Sequence, residues 1–105
     1  MNIAFIRKAV EATKEELKPQ FHFLEVYLFG SYASGQEKPD SDIDLCFLSQ
    51  RGIDPWFAQI QIRRAIFPKL KNSLDVLVYD SSTFWERAGS KSSMEHEIST
   101  NGIKI

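Results

Sequence analysis

An acidic pair set into an otherwise apolar strand is the feature that most restricts how this chain can fold. The run Asp42-Ile43-Asp44-Leu45-Cys46-Phe47-Leu48 reads as a strand from about Asp42 to Leu48. Residues two apart on a strand share a face. Asp42 and Asp44 therefore project together, while Ile43 and Leu45 point the other way into apolar packing. Two carboxylates this close repel each other in a partly buried site. A divalent cation removes that conflict, and Mg²⁺ favours carboxylates combined with substrate phosphate oxygens.

The residues upstream supply a matching half. Phe23 to Phe29 reads as a strand, rich in aromatic and apolar residues. It runs into Gly30-Ser31, and ten residues of turn chemistry separate Ser31 from Asp42. Gly30 gives a backbone that a phosphate can approach closely. Ser31 offers a hydroxyl donor, and a short helix from Ser31 through Ser34 would turn its N-terminus toward an anion. A third acid, Asp75, lies between Leu74 and Val76 in a strand from about Ser73 to Tyr79. If that strand lies beside the one carrying Asp42 and Asp44, Asp75 faces them. It would then complete a metal site or take a proton from an acceptor hydroxyl. A phosphate cradle joined to a metal site is what phosphoryl or nucleotidyl transfer requires.

Around this segment, helix and strand patterns alternate. Ile3, Ile6, Val10, Thr13 and Leu17 form one helical stripe, ended by Pro19. Asp54 followed by Pro55 marks a helix start, and Pro68 is expected to stop that helix near Phe67. Its apolar residues cover more than one narrow stripe, so it can touch both the core and a second surface. Ser81 and Ser82 can cap a short helix ending at Gly89, with Asp80 as a turn residue or an alternative cap. Ser92 and Glu95 have capping-box spacing for another. Ile103 and Ile105 suggest a short edge strand. The alternation predicts an α/β or α+β arrangement, with helices packed on one small sheet.

Composition closes off other classes. The 105 residues are 43% hydrophobic and 26% charged, ordinary for a folded chain of one domain. Thirteen basic against fourteen acidic side chains give a net charge of −1, so strong bulk attraction to nucleic acid or to an anionic membrane is not expected. No stretch approaches the roughly 18 apolar residues that span a bilayer. The N-terminal segment lacks a signal-peptide pattern. Cys46 is the only cysteine, which fits a reducing, cytoplasmic setting. His22 and His96 have no second ligand at metal spacing and read as structural or surface residues. Lys38 and Arg51 fall on loops expected near the acids, and Arg63 falls in the apolar arc of its helix.

Gly30-Ser31, ten residues, then Asp42-x-Asp44 resembles the signature of the DNA polymerase beta-like nucleotidyltransferases. The stretch Gly30 to Leu45 is similar to their MNT-type minimal members, and the resemblance covers essentially the whole chain, 1–105, as one minimal domain. It implies an α+β nucleotidyltransferase fold, a short mixed β-sheet with helices packed mainly on one face. It also implies roles. Gly30 and Ser31 would hold the nucleotide phosphates, Asp42 and Asp44 would ligate two Mg²⁺ ions, and Asp75 would ligate the catalytic metal and help deprotonate the acceptor. Minimal members resemble half of a two-component system whose other half is a small helical HEPN-domain protein, often a toxin. Some act as antitoxins by moving AMP from ATP onto a tyrosine of that partner.

Two functions compete. The first is Mg²⁺-dependent transfer of a nucleoside monophosphate, AMP from ATP, onto a protein hydroxyl. The second is a non-catalytic module that neutralises or scaffolds a partner by occlusion, with the wide apolar helix from Pro55 to Phe67 as its interface. Acceptor, base preference and oligomeric state are left open by the residues.

Overall fold

A computed structural model describes residues 2–105. Helix α1 (Ile3–Leu17) leads into strand β1 (Phe23–Phe29) and the single-turn helix α2 (Ser31–Ser34). Strand β2 (Ile43–Ser49), helix α3 (Pro55–Leu70) and strand β3 (Leu74–Asp80) follow. Helices α4 (Ser81–Ala88) and α5 (Met94–Asn101) and the two-residue strand β4 (Ile103–Lys104) close the chain.

The sheet order is β3-β2-β1-β4. β1 pairs antiparallel with both β2 and β4, whereas β2 and β3 run parallel. A parallel pair needs a long crossover, and α3 supplies it. The two long helices, α1 and α3, lie on one face of the sheet. There Ile6 and Val10 of α1 and Ile62 and Ile66 of α3 meet Val26, Leu28, Ile43, Leu45, Phe47 and Val76. The short helices α4 and α5 cover part of the other face, where Phe84, Ala88 and Ile98 meet Tyr27, Cys46 and Leu48. The strands' period of two thus sorts each residue to its layer. Cys46 is fully buried and its thiol is pushed up to about 12 by that burial, as befits a small core residue.

Two helix boundaries, the end of α3 and the start of α5, differ from the sequence expectations, and the start of α4 takes the alternative cap. Pro68 does not stop α3, which continues to Leu70. Proline has no N–H to give the carbonyl four residues earlier. Here that carbonyl belongs to exposed Arg64, which water can serve, while buried Leu70 holds the last turn down. The helix stops at Lys71, left-handed at φ 51°, whose N–H bonds Phe67 O at 2.7 Å. Helix α4 is capped by Asp80, which accepts from Thr83 N at 3.2 Å, and Ser81 is its first helical residue. Helix α5 is capped by Ser93, which accepts from His96 N at 3.0 Å. Glu95 is therefore not part of a capping box. It turns inward and accepts a 2.6 Å hydrogen bond from the Tyr79 hydroxyl.

Candidate active site

The acids assemble at one end of the sheet because of register. β2 and β3 are aligned so that Asp44 sits directly opposite Asp75. Both belong to the sheet face that carries Cys46 and Leu77 further along, on the side of α4 and α5. Their neighbours Ile43 and Leu45 are fully buried on the opposite face. Asp42 lies one residue before β2 begins and is exposed. It is still near enough, with Asp75, to act on Asp44. Partial burial first, then the charges of Asp75 and Asp42, push the Asp44 carboxyl up to about 6. The three carboxylates predicted from sequence are thus brought into one electrostatic cluster.

Gly30 presses on that cluster. β1 and β2 bring Phe29 opposite Asp44, and the next residue turns with φ 72° and ψ −151°. That backbone region is essentially restricted to glycine. Space makes the same demand, since a Cβ at Gly30 would overlap Asp44 Oδ2 and lie 3.1 Å from its Cγ. Gly30 also starts α2, its carbonyl accepting from Ala33 N and Ser34 N at 3.1 Å each. The first N–H groups of a helix have no intrahelical partner. Ser31, half-buried, places its hydroxyl at that same helix start.

Asp75 stands on an edge strand, and α3 holds that edge in place. The Arg63 guanidinium donates to Leu74 O at 2.9 Å, and its second nitrogen lies 3.9 Å from Asp75 Oδ1. One helical turn earlier, Gln59 Nε2 donates to Val76 O. The carbonyls on both sides of Asp75 are thereby engaged by two side chains of one helix. Arg63 was visible in sequence as a cation within an apolar arc, but its target follows only from the crossover geometry. Of the two loop cations, Arg51 lies at the far end of β2, beside Asp80, so its expected place near the acids is corrected.

A groove of about 480 Å³ opens beside Gly30 and Ser31, walled by Phe29, Ser34 and Gln36 on one side and by α5 on the other. Sequence reasoning missed the α5 contribution.

Oxygen donors in this arrangement suit a hard cation. Among the described residues no three His, Cys, Asp or Glu side chains form a ready-made cage. Mg²⁺ commonly takes only one or two carboxylates and completes its shell with water and phosphate oxygens. Burial first, and then the neighbouring carboxylates, raise Asp44, and a bound cation would offset both, so the donor set fits.

Comparisons with known proteins agree with this architecture. Residues 6–100 match the model of the nucleotidyltransferase domain family. The protein adenylyltransferase MntA of Thermococcus cleftensis (strain DSM 27260 / KACC 17922 / CL1) is 42% identical over 40 residues, which is 38% of this chain and 40% of that protein. The match thus spans less than half of the relative's length. A solved structure named as a minimal nucleotidyltransferase superposes with a TM-score of 0.71 at 20% identity, covering 100% of this chain and 97% of that one. A mutant of the toxin–antitoxin MntA-HpeT gives 0.64 at 19% identity, covering 93% and 69%. A toxin–antitoxin structure with AMP-PNP gives 0.59 at 20%, covering 99% and 72%. At these identities the solved structures speak to the fold, an α+β minimal nucleotidyltransferase fold. With nine-tenths of its length matching the family model, the chain belongs to the nucleotidyltransferase domain family.

Proposed function

We propose that this protein, as one unit over residues 1–105, moves AMP from ATP onto a hydroxyl, the acceptor being a tyrosine of a small helical HEPN-type toxin. The observation that carries the reading is the register that sets Asp44 against Asp75 with Gly30 packed on the Asp44 carboxylate. Asp42 and Asp44 are the proposed ligands of two Mg²⁺ ions, with Asp75 joining them at the catalytic one. Bound there, Mg²⁺ would neutralise charge on the α-phosphate and the departing diphosphate.

The chain's own groups supply the rest. Ser31 donates its hydroxyl to a phosphate oxygen, and the opening N–H groups of α2 favour the same anion. Gly30 lets the phosphates approach without a side chain in the way. Asp75 accepts the proton of the incoming hydroxyl. Arg63 keeps the edge strand and its acid in position by holding Leu74 O. The partner reading draws on the toxin–antitoxin names of the matched structures and on exposed apolar residues of α3, Trp56 at 71% and Phe67 at 54%.

The test is transfer of α-labelled ATP, with Mg²⁺, onto proteins of the source cell's lysate, comparing wild type with the Asp42→Asn, Asp44→Asn double variant. One labelled band, present only with wild type, is expected. Transfer that survives the double substitution overturns the mechanism. A folded wild-type protein that labels nothing moves the weight to neutralisation by occlusion, in which polar changes on α3 abolish partner binding and the Asp variants do not.

A further inference from the structure

The groove beside Gly30 and Ser31 has a wall with a definite chemistry. Met94, Glu97, Ile98 and Asn101 line it from α5. They recur at intervals of three, four and seven and so form one stripe of the helix. Ile98 is buried and anchors α5 to the sheet, whereas Met94 is 51% exposed. A flexible thioether such as Met94 adapts well to the face of an aromatic ring. Asn101 Nδ2 donates to Glu97 Oε1 at 2.8 Å. The amide therefore fixes one carboxylate oxygen of Glu97, and the remaining oxygen and the Asn101 carbonyl are left as acceptors on residues that line the groove.

An anionic side chain is a poor neighbour for phosphates. Glu97 lines the same groove as Gly30 and Ser31, yet a triphosphate would be repelled by its charge. Its position suits the uncharged part of a nucleotide, which presents hydrogen-bond donors to an acceptor pair. We infer that the stripe Met94–Glu97–Asn101 is the nucleoside-reading wall of the site: Met94 packs on the base, and the Glu97–Asn101 pair accepts hydrogen bonds from the nucleoside's donors. Those donors are the ribose hydroxyls or an exocyclic amine of the base. This rests on the nucleotidyl-transfer reading of the neighbouring acids and adds the determinant of which nucleoside triphosphate is held.

The experiment measures equilibrium binding of AMP-PNP and of inorganic tripolyphosphate, both with Mg²⁺, to wild type and to Glu97→Ala and Asn101→Ala. Both residues are exposed, and thermal unfolding confirms that the variants fold. A hydrogen bond to a charged group, lost, corresponds to about a 10- to 100-fold weaker affinity. The expected result is that loss for AMP-PNP in Glu97→Ala and a smaller loss in Asn101→Ala, while tripolyphosphate binds the variants as well as or better than wild type. Repeating the titration with the 2′-deoxy, 3′-deoxy and inosine forms of the analogue identifies the donor. The form lacking it binds wild type and Glu97→Ala alike. Equal AMP-PNP affinity in wild type and Glu97→Ala overturns the inference, as does a parallel loss of tripolyphosphate. If wild type binds neither probe, the nucleotidyl-transfer reading itself has failed.

Discussion

Replacing Asp44 by Asn should make the protein more stable above neutral pH while removing its activity. Partial burial first, and then the Asp75 and Asp42 charges, raise the Asp44 carboxyl from the ordinary 3.8 to about 6. At about 1.36 kcal/mol per pH unit, that rise corresponds to a ceiling of roughly 3 kcal/mol. Asp44 keeps part of its solvation, and screening reduces the figure to about 1–2 kcal/mol. The sign follows from linkage. Below about pH 4 the group is protonated in both folded and unfolded chains, and folding feels no penalty. Between about pH 4 and 6 the unfolded chain ionises first, so folded stability falls as pH rises. Above about pH 6 the full penalty applies. Asparagine never ionises and escapes it. With an unfolding entropy of about 2.1 cal/mol/K per residue over 105 residues, the variant should melt about 5–9 °C above wild type at pH 7.5. The gap should close toward pH 4. Thermal unfolding in EDTA at pH 4, 5, 6 and 7.5 measures it, and added Mg²⁺ should narrow the gap at pH 7.5 by binding folded wild type. An Asn variant less stable than wild type at pH 7.5, or a gap that does not change with pH, would refute the electrostatic account.

Gly30→Ala should lose both stability and transfer, because a left-handed backbone and the Asp44 carboxylate both oppose a Cβ there. Backbone strain alone costs about 1–3 kcal/mol. Urea unfolding in a double-mutant cycle with Asp44→Ala should return the steric part of the cost and leave the strain; strict additivity would show that the two residues do not touch. Tyr79→Phe should destabilise by about 1–3 kcal/mol, since Glu95 is buried and would lose the hydroxyl it accepts from. Transfer by the folded Tyr79→Phe protein should be unchanged at saturating nucleotide, and a loss of turnover would tie this bond to the acids at the other end of β3.

The core and the acids were legible because they follow local rules. The strand from Phe23 to Phe29 and the one-turn helix from Ser31 to Ser34 have the expected bounds. The alternation of Ile43 and Leu45 against Asp44 is the alternation of two sheet faces. That Asp75 would lie beside Asp44 was conditional on strand adjacency, and the parallel register meets the condition. What was not legible depends on tertiary context. Whether Pro68 ends a helix is decided by the burial of Leu70 and the exposure of Arg64, the residue whose carbonyl Pro68 leaves unserved. Whether Glu95 caps a helix or bonds Tyr79 is decided by where β3 passes under α5. The α5 stripe reads in sequence as an ordinary amphipathic turn, and only the return of β4 to pair with β1 sets it beside Gly30.

The topology also explains how one short chain can tolerate so costly a site. Asp44 opposes Asp75 because β2 and β3 are parallel, and parallel pairing requires a crossover helix. That same helix buries Ile62 and Ile66 against the sheet and reaches over the edge with Gln59 and Arg63 to hold the carbonyls flanking Asp75. An edge strand left to itself exposes unpaired carbonyls and invites pairing with another chain. Here the outward carbonyls of Leu74 and Val76 are already occupied, so the edge is covered on both sides of the third acid and its local geometry is held by α3. The repulsion among the acids and the strain at Gly30 are both confined to the open end of the sheet, while the apolar layer beneath them is continuous from Ile43 to Phe47. Stability and chemistry are therefore divided along the strands: further along β2 both faces pack, while at its start one face carries the acids, whose mutual repulsion a bound cation would relieve.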